Sequence, residues 1–254
     1  MAKTPVSFDL TGRVACVTGA SSGLGRRSAI ALVHAGARVV GVARRAEALR
    51  TLQDVLGSDR FAYVAADITD RDALPELVVQ IAQAFGAPDI LVQAAGVNTR
   101  QPADDVTQDG WDRTLAINLS APFFMAQAMV PAMKTRGWGR IVNFASLQTT
   151  RAFRAGIAYG ATKAGISQLT RAMAEAWSAD GINANAIGPG FFPTELTQPV
   201  FDDIDLAARN AAQTCIGRNG ELDDIDGPLV FLCSDAAAYV TGQVLMVDGG
   251  FTAK

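Results

Sequence analysis

Short runs of β-branched and other apolar residues recur along the chain, each closing on a glycine or a polar turn. RVACVTG (13–19), ARVVGVA (37–43), FAYVAAD (61–67), DILVQAAG (89–96), GRIVNFAS (139–146), INANAIGPG (182–190) and GQVLMVDGG (242–250) predict strands. Between them lie longer Ala- and Leu-rich stretches with apolar residues at helical spacing. LGRRSAIALVHAG, ALPELVVQIAQAFG and KAGISQLTRAMAEAWSADG are the clearest, and each ends at Gly, the residue that follows many helices. Continuous apolar strands separated by helices predict a parallel sheet covered on both faces. No repeat, low-complexity tract or linker interrupts the pattern, so residues 1–254 are expected to form a single doubly wound α/β domain. In such a sheet, ligands bind beyond the carboxyl ends of the strands, which directs the search to the turns that follow them.

Composition narrows the function classes. A net charge of −3 over 254 residues offers no basic surface for nucleic acid or for an anionic membrane. Cys16, Cys215 and Cys233 are odd in number and far apart, which suits neither a disulfide framework nor a metal knuckle, and they read as small core residues. His34 is the only histidine, so histidine metal sites and a Ser-His-Asp arrangement are not expected. Trp111, Trp138 and Trp177 suit packing or an interface. The amino-terminal MAKTPVSFDLTGR has no apolar leader, and no window approaches the ~18 unbroken apolar residues of a membrane helix. A soluble, cytoplasmic protein is expected.

The first turn, VTGASSGLGR (17–26), places Gly19, Gly23 and Gly25 between a strand and a helix. Glycine there lets a pyrophosphate rest against backbone N–H groups at a helix N-terminus, and Ser21 and Ser22 add hydroxyl donors. A tight turn also needs glycine for steric reasons, and the position at the first strand-to-helix junction is what favours a dinucleotide. The second strand ends VVGVARR, with Arg44 and Arg45 where an NAD-binding chain commonly carries an acid. A guanidinium suits a 2′-phosphate, which favours NADP(H) over NAD(H), with Arg44 the preferred contact. Asp67, ending the third strand, could accept a hydrogen bond from the adenine amino group.

In AYGATKAG (158–165), Tyr159 and Lys163 stand one helical turn apart on one face. Free tyrosine titrates near pH 10, and a cation ~4 Å away stabilises the phenolate by up to ~4 kcal/mol. The pair could equally be a core aromatic beside a snorkelling lysine, but Ser146 lies thirteen positions upstream of Tyr159, after another strand, and favours catalysis.

TGASSGLG (18–25), AADIT (65–69), AINLS (116–120), NFASL (143–147), YGATK (159–163), IGPGFFPT (187–194) and VDGG (247–250), in this order and spacing, resemble the short-chain dehydrogenase/reductase family over essentially the whole chain. The resemblance implies a Rossmann-type fold with a mostly seven-stranded parallel sheet and a dimeric or tetrameric assembly. It implies that Tyr159 exchanges a proton with the substrate oxygen, which Ser146 holds by a hydrogen bond. Lys163 would bind the nicotinamide ribose and lower the tyrosine pKa, and Asn118 would position a water linking the lysine to solvent. Leu24, Ile68, Ala95, Gly96, Pro189, Gly190 and Thr194 would join the cofactor contacts, with Thr194 near the carboxamide. One departure is Gln93-Ala94-Ala95-Gly96 where the family commonly has N-N-A-G, which predicts a less firmly tied turn.

Substrate contacts are expected from the turn after Gly96, from the stretch between Ser146 and Tyr159, and from the loop after Pro189. The candidates are Ser146, Gln148, Arg154, Tyr159 and Phe191, with Asn98, Arg100, Arg151, Phe153 and Phe192 nearby. ASLQ together with NAIGPGFFPTELTQPVFDD resembles the sugar-acid and polyol branch that includes gluconate 5-dehydrogenase. Gln148 could bond a hydroxyl, and an arginine among Arg100, Arg151 and Arg154 could pair with a carboxylate. Alternatives are a 3-oxoacyl-carrier or general ketone reductase, with the phenylalanines closing over an acyl chain, and a non-catalytic dinucleotide sensor.

Overall fold

A computed structural model describes residues 7–254. Residues 1–6, part of the stretch read as leaderless, lie outside the described residues. In chain order the strands are β1 (Val14–Thr18), β2 (Arg38–Ala43), β3 (Phe61–Ala65), β4 (Ile90–Gln93), β5 (Gly139–Phe144), β6 (Ile182–Pro189) and β7 (Val244–Val247). They form one sheet in the order β3-β2-β1-β4-β5-β6-β7, and every pairing is parallel. The central strands β1, β4 and β5 are buried along their whole length, whereas the edge strands β3 and β7 are partly exposed. Burial on both faces explains why the central sequences run apolar without alternation.

The helices are α1 (Gly23–His34), α2 (Ala46–Leu56), α3 (Leu74–Phe85), α4 (Gln108–Leu115), α5 (Ala121–Arg136), α6 (Ile157–Trp177), α7 (Gln198–Phe201), α8 (Ile204–Gln213) and α9 (Asp226–Cys233). One apolar cluster fills the face under α1, α2 and α9, with Leu32, Leu49, Phe61 and Leu229 at its centre. The other lies under α3, α5 and α6 and contains Ile81, Met125, Met129, Met133 and Met173. Strand order reverses between β1 and β4, and the crevice beyond their carboxyl ends is where a ligand fits.

Several expectations change. The helix expected to open at Lys163 begins at Ile157, so Tyr159 and Lys163 both lie in its first two turns. α4 and α5 run together through a π-helical turn at Ala116–Ser120. The combined run, Gln108–Arg136, is long and apolar enough by composition to cross a membrane, although polar residues interrupt it throughout. It packs Met125, Met129 and Met133 into the core. Cys215 is exposed, not a core residue, whereas Cys16 and Cys233 are buried. Trp138 packs as expected, with Arg13 and Arg140 stacked on its ring at 3.6 and 4.3 Å from the centroid.

At the Gln93 departure the side chain bonds to neighbouring elements and not to the turn, and its Oε1 is buried without a partner among the described residues. Gln93 is buried, and its Nε2 donates to the Pro122 carbonyl and to Asn143 Oδ1, both at 2.9 Å. Asn143 Nδ2 continues the chain to Thr170 Oγ1 at 2.9 Å, which ties β4, β5, α5 and α6 together.

Candidate active site

Chain packing accounts for the glycines of the first turn. Gly19, at φ +73°, would carry a Cβ only 2.7 Å from the Ala95 nitrogen, where the turns after β1 and β4 touch. A Cβ on Gly25 would meet the Gly19 carbonyl oxygen at 2.2 Å, and one on Gly23 would lie 3.1 Å from Thr194 Cβ. Gly25→Ala is therefore expected to destabilise the fold by ~3 kcal/mol, a fall in melting temperature of about 10 °C by calorimetry. An unchanged melting temperature would mean that the turn yields freely. The sign of a ligand site is instead the α1 N-terminus. Its N-cap Ser22 makes no side-chain cap, no acid occupies the first turn, and the turn opens on a cleft of about 540 Å³. Uncapped N–H groups and the helix dipole favour an anion there.

At the far end of the cleft, Arg44 Nη1 stands 3.8 Å from Asp67 Oδ2, with both side chains largely solvated. Asp67 Oδ1 accepts from the Thr69 backbone N–H and hydroxyl at 2.9 and 2.7 Å, bonds that hold its carboxyl below the usual range. Arg45, ranked behind Arg44 in the sequence, makes more contacts. Its Nε and Nη2 donate to Ser21 Oγ at 3.2 and 3.1 Å, and its Nη1 donates to Glu195 Oε1 at 2.9 Å. The Arg45 hydrogen bond is the main reason the Glu195 carboxyl is held low, with the nearby Ser22 hydroxyl a lesser one. This clasp across the cleft was not legible in the sequence, because Glu195 has no local pattern linking it to Arg45.

The four residues expected to catalyse come from three segments. Ser146, in extended backbone after β5, caps the short turn Leu147–Thr149, its Oγ accepting from the Gln148 N–H at 3.2 Å. Its hydroxyl stands beside the Tyr159 phenol and acts to lower that group's pKa. Lys163, 5% exposed, sends its Nζ to the Phe144 carbonyl at 2.6 Å and sits 5.4 Å from the Tyr159 ring centroid. Asn118 lies within the π-helical turn, and its amide clamps the backbone of Val97. Oδ1 accepts from the Val97 N–H, and Nδ2 donates to the Val97 carbonyl, both at 2.9 Å. Nδ2 also donates to Thr162 Oγ1 at 3.2 Å.

The electrostatics of the site are set mainly by burial. Burial pushes the Tyr159 phenol up, while the Ser146 hydrogen bond and the charge of Arg100 pull it back. The Lys163 ammonium donates to the Phe144 carbonyl. Burial lowers Lys163 itself to about 8.

Among the expected cofactor residues, Gly19, Ser21, Ser22, Gly23, Leu24, Gly25, Arg44, Asp67, Ile68, Ala95, Gly96, Tyr159, Lys163, Pro189 and Thr194 line the large cleft. Gly190 does not. It packs against Asp248 and faces the neighbouring pocket of about 330 Å³. Asn118 stands behind Gly96, whose Cβ would lie 3.4 Å from Asn118 Oδ1. The smaller pocket gathers Ser146, Gln148, Arg154, Tyr159 and Phe191 as expected, and also Asn210 of α8, which no strand-end rule pointed to. Phe191 stacks edge-on with Phe153 at 6.2 Å and with Phe251 at 5.9 Å, forming an aromatic wall. Arg151 is not in the lining, and it donates to the Lys254 carbonyl at 2.5 Å. Tyr159 is the one member of the four that lines both cavities.

Known proteins resemble this chain. The pattern that defines the family described as Enoyl-(Acyl carrier protein) reductase matches residues 19–252. Gluconate 5-dehydrogenase of Gluconobacter oxydans is 40% identical, with 98% of each chain covered. D-threitol dehydrogenase of Mycolicibacterium smegmatis is also 40% identical, over 97% of this chain and 95% of the relative. Among solved structures, gluconate 5-dehydrogenase from Burkholderia cenocepacia, in complex with NADP and tartrate, superposes with a TM-score of 0.93 at 35% identity. The match covers 97% of this chain and 98% of that one.

Proposed function

Because the chain belongs to the short-chain dehydrogenase/reductase family, we propose that it is an NADP(H)-dependent oxidoreductase interconverting a secondary alcohol and a ketone on a sugar acid or polyol such as gluconate. Residues 1–254 act as one catalytic domain. The observation that carries the reading is the place of Tyr159 on the wall shared by the two cavities, beside Ser146 and one helical turn from Lys163.

The cleft fits a dinucleotide: glycines allow close approach, the α1 N-terminus is free for a pyrophosphate, and Arg44 and Arg45 supply charge at the adenosine end. The bound nucleotide supplies the hydride donor or acceptor, and the residues of this chain manage the proton. Tyr159, whose protonated form burial favours, gives its proton to a ketone oxygen during reduction, and in the oxidation direction its phenolate takes the proton of the alcohol. Ser146 holds that oxygen and the phenol by its hydroxyl. Lys163 presents an ammonium to the ribose, and Asn118 fixes the turn at Val97 that carries Gly96 into the cleft.

NADP(H) is supported by the arginines and by the NADP-bound relative from Burkholderia cenocepacia. Sugar acids and polyols are supported by the gluconate and D-threitol dehydrogenases. A cytoplasmic homodimer or homotetramer, without nucleic-acid or membrane partners, is the matching assembly. The apolar run Gln108–Arg136 leaves much of its surface outside the core of one chain, which supports an interface there.

The test is a panel of sugar acids, polyols, simple ketones and 3-oxoacyl thioesters, assayed by nicotinamide absorbance with NADP(H) and NAD(H) side by side. Turnover of sugar acids or polyols with NADP(H) is expected, and turnover confined to acyl thioesters would overturn the assignment. Arg44→Ala should weaken NADP(H) binding by about 10- to 100-fold, the weight of charge-assisted hydrogen bonds, and leave NAD(H) binding unchanged. Equal loss for both nucleotides, measured by titration, would remove Arg44 from 2′-phosphate recognition.

A further inference from the structure

α8 inverts the usual pattern of a helix at a protein surface, which turns its aliphatic side chains inward and its polar ones to water. Ile204 is 81% exposed, whereas Asn210 is the one residue of the helix that is buried, at 5% exposure. Leu206 and Asn210, four positions apart and so on one face, both line the smaller pocket. Phe192 and Val200, from the loop after β6 and from α7, join that lining as buried apolar groups.

Packing gives no reason for an amide at this place. The Asn210 side chain makes no hydrogen bond among the described residues, while polar groups on either side of it are spent on holding α8. Asp203 Oδ1 accepts from the Leu206 N–H at 2.9 Å, and Gln213 Nε2 donates to the Arg209 carbonyl at 3.3 Å. Asn219 Nδ2 donates to the Ala207 carbonyl at 2.9 Å and ties the helix to the loop that follows. The buried polar atoms sealed off without a partner belong to Gln93, Gln101, Gln148 and Asn219, so the Asn210 amide is not closed in by protein and opens on the pocket. An amide removed from bulk water and left unpaired carries a desolvation cost, which a ligand group recovers by bonding to it.

The chemistry of the amide selects that group. Asparagine offers a carbonyl acceptor beside an N–H donor, and a hydroxyl, which both donates and accepts, answers either. A carboxylate would set its charge against Oδ1, and the methylenes of an acyl chain would answer neither atom. The same pocket, of about 330 Å³, contains Ser146 and Tyr159, which take the oxygen of the reacting carbon. Asn210 comes from a different element and meets a second oxygen of the same molecule. We propose that Asn210 is a specificity-determining residue that hydrogen-bonds one hydroxyl of a polyhydroxylated substrate, other than the hydroxyl being oxidised. The assignment rests on the sugar-acid and polyol reading above. It makes α8 the element that separates hydroxylated chains from simple alcohols and acyl chains.

The experiment uses the sugar acid or polyol that wild type turns over best, D-gluconate being the first choice, together with its set of monodeoxy analogues. Wild type, Asn210→Ala and Asn210→Leu are assayed with saturating NADP+. With wild type, one analogue that retains the reacting hydroxyl should lose about 5- to 100-fold in kcat/KM, the weight of a hydrogen bond whose buried partner is left unpaired. Asn210→Ala should lower kcat/KM for the parent substrate by a similar factor and change that one analogue by less than about 2-fold, so the discrimination disappears. Asn210→Leu should repeat the loss on the parent with a melting temperature at or above that of wild type, because no unpaired amide is then buried. A loss spread evenly over the parent and all its analogues, or an unchanged parent, would overturn the role of Asn210 and leave the sugar-acid and polyol reading standing. Wild type that turns over only acyl thioesters or simple ketones would overturn that reading and this assignment with it.

Discussion

Tyr159→Phe will lower kcat by about 10²- to 10⁴-fold, the contribution expected of a positioned acid or base, and leave the affinity for NADP(H) essentially unchanged. The ring of Tyr159 forms part of the wall between the two cavities, and phenylalanine keeps that wall while removing the one group able to exchange a proton. The Ser146 hydroxyl loses the neighbouring phenol but keeps its place as the cap of the turn Leu147–Thr149. Stopped-flow binding and steady-state turnover on the same preparation separate the two effects. Turnover within a few-fold of wild type would show that the proton is handled elsewhere and would remove the basis of the mechanism.

Lys163→Met will abolish useful activity, by about 10²-fold or more, and yet raise the melting temperature at neutral pH. The physical reason is the buried ammonium. Burial lowers its pKa from 10.5 to about 8, so the folded state bears the charge at a disadvantage of ~3 kcal/mol at pH 7. Methionine removes that disadvantage but leaves the Phe144 carbonyl without its 2.6 Å donor, which costs ~1–3 kcal/mol. The net expectation is a gain of about 1 kcal/mol, or about 2–4 °C. The pH dependence gives a second check. Between pH 8 and 10.5 the unfolded lysine holds a proton that the folded one has lost, so wild-type stability gains from this group as pH rises through that window. The advantage of the methionine variant should therefore shrink above pH 8. A lower melting temperature for the variant at pH 7, or an advantage independent of pH, would show that the ammonium is not disfavoured by burial.

The sheet was legible because its strands are buried on both faces: runs such as VACVT and GRIVNF contain little that could face water. The first turn and the Tyr159–Lys163 pair were legible for a related reason, since each sits in one local segment whose spacing sets its geometry. What escaped depends on contacts between distant segments. Arg45 meets Glu195 across 150 positions, and no periodicity links them. The direction of the Lys163 ammonium depends on the Phe144 carbonyl at the end of β5, which a one-turn spacing cannot supply. The strain at Arg100 was also hidden, because a positive φ in an arginine arises from its surroundings and has no signature in residue type. Gln93 taught the opposite lesson: a residue read as a lost asparagine contact makes its own bonds to Pro122 and Asn143.

The π-helical turn at Ala116–Ser120 lets one continuous rod obey two masters. Each residue of a regular helix turns the next by about 100°, so the face of one end dictates the face of the other. Widening the coil midway resets that phase. The methionines beyond it can then settle into the interior, while Asn118 is delivered sideways to Val97. A rod of uniform pitch would have to sacrifice either its seat on the sheet or its grip on the floor of the nucleotide cleft.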